Sequence, residues 1–149
     1  PNLVITQTLS KAYGLAGIRL GICYASTEVI SVLNKIKPPY NVNELSQKRA
    51  LERLADTDKI SAEIASIIRQ REDLLEVLLH VEFVKKIYPT EANFILVKVD
   101  DANKRYAELI AKGIVIRNRT MQPLCDNCLR LTVGTELENR KLMAVLKQL

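Results

Sequence analysis

The chain opens on an apolar, β-branched run. Leu3, Val4 and Ile5 lead into Thr6, Gln7 and Thr8, and residues 2–8 read as a short strand. Residues 9–17 form a loop of small residues. Residues 18–25 are apolar except for Arg19 and read as a second strand, buried on both faces. Ser26, Thr27 and Glu28 mark a helix N-terminus, and the helix continues from Val29 to Lys37. Pro38 and Pro39 end it by removing donors and restricting the preceding residue. A second helix runs from Asn41 to about Ala55, and Asp56, Thr57 and Asp58 supply caps for a third over about 58–80. In that third helix Ile60, Ile64, Ile67, Leu74 and Leu78 make an apolar stripe opposite Arg69, Arg71 and Glu72, as core packing or a strut between domains requires.

After His80 the texture changes. Phe83–Tyr88 and Asn93–Val99 are strand-like, with Pro89, Thr90 and Glu91 between them. Asp100 and Asp101 cap a helix over 102–112 that carries Tyr106, Leu109 and Ile110 on one face, and Gly113 stops it. Ile114–Ile116 is a strand, 118–127 a loop, 129–133 another strand, and Thr135 with Glu136 opens a last helix to Leu149. This alternation of strands and helices is the pattern of one small α/β or α+β domain.

Composition narrows the class. The chain has 149 residues, 48% hydrophobic and 26% charged, which is enough apolar content for a core and excludes disorder. No apolar run approaches the roughly 18–20 residues of a membrane span. Three cysteines are an odd number and argue against a disulfide-stapled module. The net charge of +5 is spread along the chain, as solubility charge with one local anion site rather than a nucleic-acid surface. Residue 1 is Pro rather than Met, and no basic segment precedes the apolar run, so the expectation is a piece of a longer chain with no signal peptide.

Chemistry concentrates where glycine does. Gly14, Gly17 and Gly21 lie close together, among Thr8, Ser10, Lys11 and Arg19. Glycine clusters where the backbone needs positive φ or close approach. Hydroxyls, backbone donors and a guanidinium at the end of a strand suit a phosphate. A partly desolvated lysine beside another cation becomes a nucleophilic amine, able to form a Schiff base with a carbonyl. One ligand with both a phosphate and an aldehyde satisfies both groups, which describes pyridoxal phosphate. The plainer alternative is a glycine-rich surface turn with solvated Lys11 and Arg19.

The run Thr8-Leu9-Ser10-Lys11-Ala12-Tyr13-Gly14-Leu15-Ala16-Gly17-Ile18-Arg19-Leu20-Gly21 closely resembles the cofactor-lysine motif of fold-type I pyridoxal-phosphate aminotransferases. Ile116-Arg117-Asn118-Arg119, Gln122-Pro123 and Cys128-Leu129-Arg130-Leu131-Thr132-Val133-Gly134-Thr135 resemble that family's C-terminal substrate-binding segment. Pro38-Pro39-Tyr40-Asn41-Val42-Asn43 resembles its turn after the helix that follows the lysine. Within the family the wording is most similar to histidinol-phosphate aminotransferases. The resemblance implies an α/β fold: residues 1–30 end the large domain, 31–80 are connecting helices, and 81–149 form most of the small domain. It implies that Lys11 holds the cofactor and moves the proton, and that Thr8, Ser10 and Arg19 bind the cofactor phosphate. Arg130 and Arg117 would grip the phosphate of histidinol phosphate. Arg119 competes with Arg117 for that role, and the sequence does not decide between them. The implied second substrate is 2-oxoglutarate and the implied assembly a cytoplasmic homodimer, with no metal, nucleic acid or membrane. The family's ring-pairing acid and ring-stacking aromatic precede its lysine, so this chain alone is expected to be inactive.

Other signals have plainer explanations. Cys125 and Cys128 form a C-x-x-C without a second ligand pair, read as incidental. Cys23 reads as core, His80 as a helix end, and Arg69, Arg71, Lys85 and Lys86 as solvated faces. Tyr13, two residues after Lys11, either approaches the site or packs in the turn. Rival functions are an aminotransferase for aromatic amino acids or another phosphorylated amine, a non-catalytic anion-binding or nucleic-acid-binding module, and a thiol redox module. Only 5% of residues are aromatic and none interleave with basic ones, which argues against single-strand binding.

Overall fold

The computed structural model describes residues 2–149, so Pro1, the first residue of the expected 1–30 segment, lies outside the described residues. The chain divides into two compact units, one ending at Ile64 and the other running Ala65–Leu149.

In the first unit β1 (Ile5–Thr8) pairs antiparallel with β2 (Gly21–Tyr24), Thr8 opposite Gly21. Both strands are shorter than the hydrophobic runs that announce them. Residues 16–18 form a short 3-10 turn and Arg19 takes a left-handed φ of 54°, so extended backbone resumes only at Gly21. Nor is β2 buried on both faces: Tyr24 is 51% exposed, and its partner Ile5 52%. An apolar run signals burial, but this unit's small core reaches only Ile22 of β2, which is half-buried, and leaves the strand ends exposed.

Three helices follow. α1 (Thr27–Ile36) starts where the Ser26 hydroxyl accepts from Val29 N–H, and it buries no residue. α2 (Glu44–Ala55) begins at Glu44 rather than Asn41, because the Asn43 side chain caps it by accepting from Ser46 N–H at 2.9 Å. Leu9, Leu15 and Ala50 form this unit's small core, with Ile18, Leu20, Ile22 and Leu54 against it. α3 (Thr57–Leu79) carries the expected stripe, and the division between the units falls within it.

The second unit is a four-stranded sheet in the order β3-β4-β6-β5, formed by β3 (Val84–Ile87), β4 (Phe94–Val99), β5 (Arg117–Asn118) and β6 (Cys128–Thr132), every pair antiparallel. One face supplies Ile95, Val97, Val99, Leu129 and Leu131 to a core shared with Leu74 and Leu78 of α3. Leu109 of α4 (Ala102–Ala111) and Leu142 and Leu146 of α5 (Glu136–Leu146) complete it. Strand alternation puts Phe94, Leu96, Lys98 and Arg130 on the other face.

Two expectations change here. The strand expected at 114–116 forms at Arg117–Asn118 instead. Gly113 has φ of 76°, and Ile114 N–H is spent on Leu109 O at 2.9 Å to close α4, so it cannot join a ladder. Arg71 is not solvated. Its side chain is 12% exposed, donates to Ala92 O at 3.1 Å and pairs with Glu91, fastening the turn between β3 and β4.

Candidate functional site

The loop between β1 and β2 is fastened at its base by one buried residue. Leu9 is 1% exposed; its N–H donates to Leu20 O at 3.2 Å and its carbonyl accepts from Leu15 N–H at 2.9 Å. Ser10 and Lys11 follow directly, so they leave the core from a fixed point. The turn closes where Gly14 N–H donates to Lys11 O at 2.8 Å, with Gly14 at φ of 68°. Only glycine holds that conformation at little cost. Gly21 answers to close approach, since a Cβ there would stand 3.2 Å from Gln7 O. Gly17 meets neither need.

Thr8, Lys11 and Arg19 are exposed and Ser10 is half-buried, so this unit does not supply the partial desolvation expected for the Lys11 amine. The Thr8 hydroxyl oxygen accepts from Ser10 N–H at 3.1 Å, leaving its own hydrogen free to donate. The Arg19 guanidinium donates to Ala16 O at 3.2 Å. Among the described residues no carboxylate pairs with Lys11 or Arg19. The hairpin end therefore offers an amine, hydroxyls and a guanidinium without an acid to neutralise them. Tyr13 packs against the Leu9–Leu15 core, and its hydroxyl accepts from Gln7 Nε2 at 3.4 Å.

Two side chains on α2 that the motifs do not mark brace this loop. Ser46 Oγ donates to Ile18 O at 3.3 Å, and Arg53 Nε donates to Tyr13 O at 2.9 Å. Ser46, Ala50 and Arg53 recur at four- and three-residue spacing, which is one helix face. That spacing was the available signal.

In the second unit Arg130 of β6 stands directly opposite Arg117 of β5 and Leu96 of β4. Like charges directly opposite are destabilising. No carboxylate pairs with either guanidinium among the described residues. The Arg130 guanidinium lies over the Phe94 ring, 5.0 Å from its centroid, and its Nε is buried with no hydrogen-bond partner. Phe94 was missed in the sequence, because a strand aromatic carries no motif. Arg117, not Arg119, is the residue opposite Arg130; Arg119 N–H instead donates to Cys128 O at 2.8 Å. Two guanidiniums without acids can hold a phosphate or carboxylate bidentately.

The thiols give a different picture. Cys128 is 1% exposed, and burial pushes its thiol up, away from the thiolate that redox or metal chemistry needs. All three thiols are free, and among the described residues no cluster of metal-ligating side chains forms. Cys23, expected in the core, is half-buried. His80 is exposed after the end of α3.

Known proteins resemble both units. The histidinol-phosphate aminotransferase of Flavobacterium johnsoniae is 78% identical over all 149 residues, which make up 43% of that protein. The crystal structure of the histidinol-phosphate aminotransferase from Clostridium acetobutylicum superposes with a TM-score of 0.87 at 27% identity, over 98% of this chain and 45% of that one. The enzyme of the same name from Sinorhizobium meliloti, solved in complex with pyridoxal-5'-phosphate, shares the fold with a TM-score of 0.80 at 24% identity, over 99% of this chain and 42% of that one. The chain thus spans less than half the length of the relatives it matches. The profile of aminotransferase class I and II matches residues 1–146, and with the fold-type I architecture of these neighbours it establishes that the chain belongs to that family.

Proposed function

We propose that this chain is the C-terminal part of a pyridoxal-phosphate-dependent aminotransferase that moves an amino group between histidinol phosphate and 2-oxoglutarate. The observation that carries the reading is the pair Arg117 and Arg130, opposed in one ladder without an acid. Such a pair is destabilising until an anion divides the charge, and a phosphate dianion suits two guanidiniums. A dicarboxylate can use the same donors, so one pocket serves both substrates in turn.

The hairpin end has the donor set that pyridoxal phosphate needs: an exposed amine, hydroxyls and an unpaired guanidinium. When bound, that cofactor supplies an aldehyde carbon that accepts amino groups and a ring that withdraws electrons from the substrate carbon. Lys11 Nζ would hold that aldehyde carbon and would move a proton at the substrate's amine-bearing carbon. The Thr8 and Ser10 hydroxyls and the Arg19 guanidinium bind the cofactor phosphate. Residues 1–30 end a large domain, 31–80 connect, and 81–149 belong to a small domain. We further propose a homodimer working in the cytoplasm, a compartment in keeping with three free thiols.

The test uses the full-length protein that contains this segment, beside its Lys11→Ala variant. Each receives pyridoxal phosphate, then histidinol phosphate with 2-oxoglutarate. A visible band that needs Lys11 and bleaches with histidinol phosphate is expected. A band that responds only to other amines discards the named substrate, and no Lys11-dependent band discards the aminotransferase reading. This chain by itself is expected not to turn over.

A further inference from the structure

We infer that Arg53 is a positioning residue for Lys11, acting through the carbonyl of Tyr13. The inference rests on the reading of Lys11 as the cofactor-holding lysine. The turn that carries Lys11 runs to Gly14, and the carbonyl of Tyr13 lies inside it. Arg53 Nε donates to that carbonyl at 2.9 Å across forty positions of sequence. Its side chain is 11% exposed, so the donor is held in a largely dry setting where a charged hydrogen bond counts for more.

The other edge of the guanidinium pairs with Glu63 of α3, which keeps it from rotating away. The same pair holds the Glu63 carboxyl below its usual range. Arginine is the side chain for this task, because its planar fork presents Nε to one acceptor and Nη2 to another. Lysine has one nitrogen and cannot meet both acceptors in the same geometry. Ser46, on the same face of α2, fastens the far end of the loop at Ile18. With Leu9 fixed in the core, the Lys11 turn is held at its base and at Tyr13, leaving the amine as its free end.

The experiment compares the full-length protein with Arg53→Met, Arg53→Lys and Glu63→Gln. It reads three quantities: the dissociation constant for pyridoxal phosphate, the pH midpoint of the Lys11-dependent visible band, and hydrogen exchange at Gly14 N–H without cofactor. Arg53→Met is expected to weaken cofactor binding at least about tenfold, shift the midpoint and speed exchange at Gly14. Arg53→Lys should recover only part, and Glu63→Gln should fall between parent and Arg53→Met. A merely structural role would lower the melting temperature and leave binding and midpoint unchanged, which overturns the inference. Loss of the Lys11-dependent band in the parent itself would instead sink the functional reading and this inference with it. Faster exchange at Gly14 with unchanged cofactor affinity would show a brace that does not position Lys11, and also overturns it.

Discussion

Arg117 in β5 stands directly opposite Arg130 in β6, and among the described residues no carboxylate reaches either guanidinium. Opposed like charges cost stability, so this pair is a liability until an anion sits on it. Replacing one arginine should therefore have opposite effects on the free and the ligand-bound protein. Arg117→Gln is expected to leave the melting temperature of the full-length protein unchanged or raised in phosphate-free buffer, a relief of about 0.2–1 kcal/mol. The same variant should lose the rise in melting temperature that inorganic phosphate gives the parent, and its KM for histidinol phosphate should climb about tenfold or more. Equal phosphate stabilisation of parent and variant would remove the pair from the substrate site.

The Lys11 turn makes a sharper backbone prediction. Gly14 has φ of 68° with open space where a Cβ would stand. Gly14→Ala should cost about 1–2 kcal/mol through conformation alone. Gly17→Ala, with equal space and no positive φ, should be close to neutral. Chemical denaturation of both variants separates them, and equal costs would contradict the turn geometry.

The thiols test the redox rival. Cys128 is buried and its thiol is pushed up, so it should react slowly with a disulfide reagent at neutral pH. Cys23 and Cys125, both half-buried, should react first. Cys125→Ser is expected to keep transamination within about twofold of the parent, since the reading gives this thiol no chemistry. Loss of activity in Cys125→Ser would revive the thiol mechanism.

The acid limb of stability has an identifiable contributor. Asp100 accepts from Arg105 Nη2 at 2.7 Å and Nε at 3.0 Å, and this bidentate bond holds its carboxyl well below the usual carboxylate range. A carboxyl lowered in the folded state adds stability above its unfolded value of about 4, and that stability is lost as pH falls. Asp100→Asn should thus melt lower than the parent at pH 7, with the difference shrinking as the buffer is acidified. Glu138 is lowered in the same direction by the Thr135 backbone N–H and hydroxyl, so some acid dependence should survive in the variant. A difference that grows on acidification would contradict the sign.

Much of the local structure was legible in the residues. Ser26, Asp101 and Thr135, each at an expected helix start, cap a helix through their own side chain, an interaction within a few positions of sequence; Asn43 does the same for a helix expected from Asn41. The helical stripe of α3 and the alternation of β4 follow from periodicity for the same reason. Boundaries failed where a cap or turn took a donor. Ile114 shows this, since its β-branched neighbourhood favours a strand but its N–H closes α4.

The sequence by itself determined the chemistry of the candidate site: a lysine among glycines and hydroxyls, and arginines near the C-terminal strands. Those are matters of residue type and short spacing, which survive without a fold. Tertiary structure alone decided which partners meet. The ladder register sets Arg117 rather than Arg119 against Arg130, and a shift of one residue would send the side chain to the other face. Packing brought Arg53 to the Tyr13 carbonyl and laid Phe94 beneath Arg130. Such pairings join residues far apart in the chain, and they depend on how strands and helices close on the core of each unit, which no local spacing encodes.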